Sequence, residues 1–173
     1  MACICPLILM GILYGQDDQY FINDLKIEGN ESISKNEILF IVRQRPPNFF
    51  FRRPKFDPRL LRLDALTLKN YYYSKGFLDV VINESYTVKD NSNKNNFVNI
   101  LYNVVEGKQY YLSKVYINGN DLISKKKITK ILGLKIDSPY NPVGLNDNLY
   151  LIENEYQNLG KLFAIITVKD EIK

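Results

Sequence analysis

Leu25-Lys26-Ile27-Glu28-Gly29-Asn30-Glu31-Ser32-Ile33-Ser34-Lys35 returns as Val115-Tyr116-Ile117-Asn118-Gly119-Asn120-Asp121-Leu122-Ile123-Ser124-Lys125, 90 residues later throughout. Further landmarks recur 84 residues apart: Asp57-Pro58 with Asn141-Pro142, and Tyr72-x-x-x-Gly76 with Tyr156-x-x-x-Gly160. A repeat of this length is one supersecondary unit used in tandem. It divides the 173 residues into two small domains. Each has a thin core and gains from contact with its neighbour. Such modules bind or space partners more readily than they catalyse.

Within the first unit the hydrophobic period changes along the chain. Phe21 to Glu28 alternates, with Leu25 and Ile27 on one face and Lys26 and Glu28 on the other, which predicts a strand. Gly29-Asn30 ends it in a turn. Ser34-x-x-Glu37 reads as a capping box, in which hydroxyl and carboxylate each satisfy a free backbone N–H, and Ile38, Ile41 and Val42 form the buried stripe of the helix that follows. Ile128, Ile131 and Leu132 are their counterparts. A second helix opens at Asp57-Pro58, a good N-cap followed by the residue best suited to the first helical position. Leu61, Ala65, Leu68 and Tyr72 make its stripe, repeated as Leu145, Leu149, Ile152 and Tyr156, and Gly76 and Gly160 stop the two helices.

After Gly76 the period becomes two. Val80, Ile82, Tyr86 and Val88 share a face, interrupted by Glu84, and the polar stretch Lys89 to Asn96 leads into Phe97 to Val105, where Val98, Ile100, Tyr102 and Val104 alternate. This is a hairpin. Phe97 to Val105 is the most apolar strand and is expected at the centre of its sheet. The reading is α+β: tandem β-α-α-β-β modules, two helices on one face of a small three-stranded sheet. The first covers residues 20–108 and the second 109–173. Only thirteen residues follow Gly160, with Phe163 to Val168 as their one strand. The second module is therefore expected to be incomplete, lacking its last strand.

Residues 1–15, MACICPLILMGILYG, carry no charged side chain. The apolar run from Ile4 to Tyr14 is short for a bilayer span, which takes about 20 residues, and suits the core of a signal peptide. No Lys or Arg precedes it, and an N-terminal strand is the alternative. Cys3 and Cys5 would leave with the leader, so folding would need no disulfide. Net charge is +4, from 23 Lys and Arg against 19 Asp and Glu. That balance is too mild to point to a polyanionic partner.

Taken in order, these residues resemble a POTRA (polypeptide-transport-associated) module. The match lies in Ile27-Glu28-Gly29-Asn30, Ser34, Tyr72, Gly76-Phe77 and Val105-Glu106-Gly107, then Ile117-Asn118-Gly119-Asn120, Ser124, Tyr156 and Gly160. In tandem they are most similar to the periplasmic arm of BamA-like outer-membrane protein assembly factors. Two departures stand out: Lys161 replaces an aromatic after the second glycine, and the first unit carries six extra residues between its helices, within Arg45 to Asp57. The resemblance implies a mixed sheet and a place on the periplasmic side of the bacterial outer membrane. It also implies unfolded outer-membrane protein clients, accessory assembly lipoproteins, and a C-terminal membrane barrel absent from this sequence. The implied client site is a sheet edge, Val80, Val81, Ile82, Asn83, Glu84, Ser85 and Tyr86, with Phe163 to Val168 in the second unit. Extended clients would add there as further strands through backbone hydrogen bonds; the alternative is an edge that merely faces solvent or the neighbouring module.

Chemistry for catalysis is sparse. The chain has no histidine and only Cys3 and Cys5, and its nine glycines are dispersed. Nucleophilic pairs, the usual general base and zinc sites are thereby removed, and neither enzyme activity nor a cofactor is expected. The insert, with Phe49, Phe50, Phe51, Arg52, Arg53 and Phe56, mixes aromatics with positive charge. It reads either as a docking loop or as aromatics folded back over the helices with wet basic residues. Within the family class, a two-partner secretion transporter or a division protein is the alternative. A KH-like RNA-binding domain also contains β-α-α-β, but its Gly-x-x-Gly clamp is missing from Pro46 to Phe56 and from Gly133 to Tyr140. No nucleic acid is expected.

Overall fold

The structure, a computed structural model, describes residues 19–48, 53–89 and 96–171. The expected leader, residues 1–15, and Phe49, Phe50, Phe51 and Arg52 of the insert lie outside them. The first unit contains β1 (Tyr20–Glu28), α1 (Lys35–Ile41), α2 (Pro58–Ser74), β2 (Val81–Lys89) and β3 (Asn96–Val105). The second contains α3 (Lys125–Ile131) and α4 (Pro142–Asn158). No helix among the described residues is long and apolar enough to cross a membrane.

The sheet order is β1-β3-β2, with β1 parallel and β2 antiparallel to β3. The most apolar strand is central, as its composition predicts: Val98, Ile100, Tyr102 and Val104 are all buried under the helices. β1 contributes Ile22 and Leu25, three residues apart. Strict alternation would put them on opposite faces, but a bulge at Asn23 resets the register between Ile22 and Asp24. The Asn23 amide donates to the Asn99 side chain at 2.8 Å across the strands.

Both helix pairs are built from the predicted signals. Ser34 and Ser124 cap α1 and α3, accepting from the amides of Glu37 and Lys127. The reciprocal half of the expected box is different: the Glu37 carboxylate accepts from the Tyr71 hydroxyl and lies 3.8 Å from Lys75 Nζ. A partner on the packed helix α2 competes for it, and proximity there prevails over the local contact. Asp57 caps α2 through the amides of Arg59 and Leu60, and Asn141 caps α4 through Gly144. Leu61, Ala65, Leu68 and Tyr72 are buried as their spacing requires. Each leucine among them adds roughly 1.5–3 kcal/mol when fully covered.

In the second unit Ile123, Ile128, Leu132, Leu145 and Ile152 form a smaller core. The strand expected over Phe163 to Val168 is not formed; residues 161–171 carry no strand, and Phe163 and Ile165 are 93% and 90% exposed. The physical reason is visible in the first unit. There β1 and β2 each pair with β3 and not with one another, and among the described residues of the second unit nothing stands in place of β3. A lone extended segment has no ladder to join.

Candidate functional site

β2 is an edge. Its pairing with β3 runs without a break from Val81↔Val105 to Lys89↔Phe97, and among the described residues no strand flanks its other side. Alternate backbone N–H and C=O groups along that side face away from the sheet. The strand starts at Val81, and Val80 is 2% exposed, so Val80 belongs to the core and the edge proper begins one residue later. Ile82 and Glu84 are half-buried, whereas Val81, Asn83, Ser85 and Tyr86 are exposed. The apolar face read from the sequence loses its helical cover along the strand: Tyr86 and Val88 are 46% and 52% exposed. The chemistry available is a row of open backbone groups with valine and tyrosine side chains beside it.

The described part of the insert lies against the sheet. Phe56 stacks on Tyr86, ring centroids 4.6 Å apart, and the Arg53 guanidinium sits 4.3 Å from the centre of the Phe97 ring. The two sets of candidate residues, loop and edge strand, are therefore brought together by Phe56. Lys55 remains exposed.

Sequence reasoning missed two buried carboxylates that hold this frame. Asp64, on the buried stripe of α2, accepts from the amides of Arg43 at 2.9 Å and Gln44 at 2.8 Å, and from Tyr102 Oη at 3.4 Å. It thereby ties the end of α1 to α2 and to β3. Its position three residues after Leu61 and four before Leu68, on the apolar face, is the signal that marks it. Glu106, in the closing Glu-Gly turn, accepts from the Ser32 amide with both oxygens at 3.0 Å and from the Tyr72 hydroxyl at 3.0 Å. Burial and then the Glu106 hydrogen bond raise the Tyr72 pKa. Burial and then the charge of Asp64 do the same to Tyr102.

The units meet at a hydrogen-bonded joint. The Tyr110 amide donates to the Gly76 carbonyl at 2.8 Å, and the Tyr110 hydroxyl to Asp79 at 2.7 Å. Gly76, at φ +89°, leaves room for this: a Cβ there would lie 2.6 Å from the Tyr110 oxygen. Among the described residues no group of His, Cys, Asp or Glu is placed to hold a metal ion.

Comparison with known proteins follows the same division. The POTRA family model, described as "Surface antigen variable number repeat", matches residues 20–107 and again 110–173. The chain is similar to the outer membrane protein assembly factor BamA of Buchnera aphidicola subsp. Acyrthosiphon pisum (strain APS): 26% identical over 167 residues, 91% of this chain and 25% of that protein. It is similar to a putative outer membrane protein assembly factor of Treponema pallidum (strain Nichols), 24% identical over 144 residues, 82% of this chain and 17% of the other. It thus spans a quarter or less of these relatives. Among solved structures it resembles Haemophilus influenzae BamA POTRA3-5, with a TM-score of 0.55 and 23% identity over 79% of this chain and 54% of that one. BamA from Haemophilus ducreyi lacking POTRA domains 1-3 has a TM-score of 0.54 and 18% identity over 78% of this chain and 24% of that one. At these identities the structures speak for the fold alone.

Proposed function

This chain belongs to the POTRA family, and from that premise we propose that it acts in outer-membrane protein assembly on the periplasmic side of the bacterial outer membrane, holding unfolded clients as strands added to β2. The observation that carries the reading is the open edge of β2, nine residues long and, among the described residues, paired on one side only. Backbone pairing asks little of client sequence, which suits a receiver of many different unfolded chains. Accessory assembly lipoproteins and a membrane barrel belong to the same reading. The curated relatives are assembly factors, which favours this role over a two-partner secretion or division role, and membership of the POTRA family leaves a KH-like RNA site without support.

The test is binding of an extended peptide of about ten residues, the length of a membrane-barrel strand, to the chain and to Val81→Pro and Ser85→Pro. Adjacent strand positions alternate in the direction of their N–H groups, and these two share one direction, so Glu84→Pro, on the opposite register, completes the set. Proline on the outward-facing register should lower affinity about tenfold for each lost donor. Equal affinity for every folded variant would remove strand addition at β2.

A further inference from the structure

The sheet has a second edge, and its first residues, Tyr20 to Ile22, are occupied. The Ile22 amide of β1 donates to the Pro54 carbonyl at 2.8 Å, and the Phe56 amide donates to the Tyr20 carbonyl at 2.9 Å, with Phe21 opposite Lys55 in an antiparallel bridge. The same arrangement recurs in the second unit. The Leu112 amide donates to Ser138 at 2.9 Å, the Tyr140 amide to Tyr110 at 2.9 Å, and Tyr111 stands opposite Pro139. The positions correspond through the repeat: 90 residues separate Phe21 from Tyr111, and 84 separate Lys55 from Pro139. The connection between the helices differs by six residues between the units, yet both connections end in the same two bonds. Conservation of the bonds across that change of length marks them as a built feature.

We propose that the segment ahead of α2 seals the start of the outer edge of β1, so that a full-length partner strand is admitted at β2 alone; the second unit repeats the two bonds, although residues 110–120 form no strand there. The inference rests on strand addition as the mode of binding and adds where it is refused. An incoming chain that pairs along the whole of β1 would need the Ile22 donor and the Tyr20 acceptor, and both are taken. In the first unit the seal is pinned on both sides of the sheet. Phe56 stacks on Tyr86, which is registered with the core residue Ile100. Arg53 covers Phe97, which precedes the core residue Val98 and so lies on the opposite face. Beyond the seal, exposed Lys26 and Glu28 place charge on β1, a further deterrent to pairing. One open edge gives a client one position relative to the module, whereas two would let it bind in two places.

The experiment uses the full chain with a photo-reactive benzoylphenylalanine at Phe21 or at Ser85, and an extended peptide of about ten residues alternating Val or Tyr with Thr or Ser. Cross-linking is expected at position 85 and not at 21. Phe56→Pro, which deletes one of the two sealing donors, should open position 21 to the peptide and speed exchange of the Ile22 amide about tenfold. Phe56→Tyr, which keeps both the amide and the ring on Tyr86, should do neither. Cross-linking at both positions in the chain without the proline overturns the seal and leaves strand addition standing. Cross-linking at neither position in any variant overturns strand addition and the seal with it. Should Phe56→Pro fail to fold, amide exchange in the unsubstituted chain still decides: Ile22 and Leu112 exchanging as fast as open peptide would overturn the proposal.

Discussion

Phe56 and Tyr86 meet ring to ring, centroids 4.6 Å apart and planes inclined at 51°. One residue stands just ahead of α2 and hydrogen bonds through its backbone to β1; the other lies on β2, at the far side of the sheet. The contact therefore bridges the two edges over the central strand. A partner that displaces the Phe56 ring acts on the seal of β1 and on the surface of β2 together.

Alkaline pH should destabilise the first unit in a defined window. Tyr72 and Tyr102 are fully buried, and burial foremost raises both phenols above their ordinary value of 10.0. Above that value the unfolded chain sheds protons that the folded chain keeps, so stability is full below it and falls as pH rises through the folded values. Urea midpoints should be level from about pH 8 to 9.5 and decline from about pH 10 upward, and Tyr72→Phe should make the decline shallower. A midpoint still level at about pH 11 contradicts it.

Matched glycines of the two units should differ in their tolerance of alanine. A Cβ on Gly29 would stand 2.0 Å from the Val104 oxygen, and one on Gly76 2.6 Å from the Tyr110 oxygen; their counterparts Gly119 and Gly160 have nothing within 4 Å. All four have positive φ, which costs alanine about 1–2 kcal/mol. Gly29→Ala and Gly76→Ala add a backbone clash and should cost roughly 3 kcal/mol or more. Thermal melts of the four variants give the comparison.

Asp64→Ala should be among the most damaging single changes in α2. It leaves the Arg43 and Gln44 amides without their acceptor, each worth about 1–3 kcal/mol when buried and unpaired. Asp64→Asn keeps one oxygen and should lose about half as much. Chemical denaturation of both measures the difference, and a near-native Asp64→Ala would show that water replaces the carboxylate.

Lys126→Glu should stabilise α3. Its first turn carries Lys125, Lys126 and Lys127 and no acidic residue, the wrong sign for the positive end of a helix dipole. Lys127 is paired with Glu155 on α4, whereas Lys126 is exposed. Reversing its charge should add about 0.3–1 kcal/mol at low salt, an increment that high salt erases.

Much of this fold is written in short-range terms. The Ser34 and Ser124 caps, the Asp57-Pro58 and Asn141-Pro142 starts, the stripe from Leu61 to Tyr72 and the alternation from Val98 to Val104 each depend on neighbours a few residues away. Local sequence determines them, and the repeat supplies the same statement twice. What tertiary structure decided involves partners far apart in the chain. Ile22 reaches the core through a bulge opposite Asn99, and Glu37 turns from Ser34 to Tyr71. Asp64 collects amides some twenty residues earlier. Val80 leaves the edge for the core, and the segment ahead of α2 closes on β1. The segment from Phe163 to Val168 is apolar and β-branched like a strand and yet forms none. Alternation prescribes which way side chains point, but a strand exists only when another backbone lies alongside to satisfy its N–H and C=O groups.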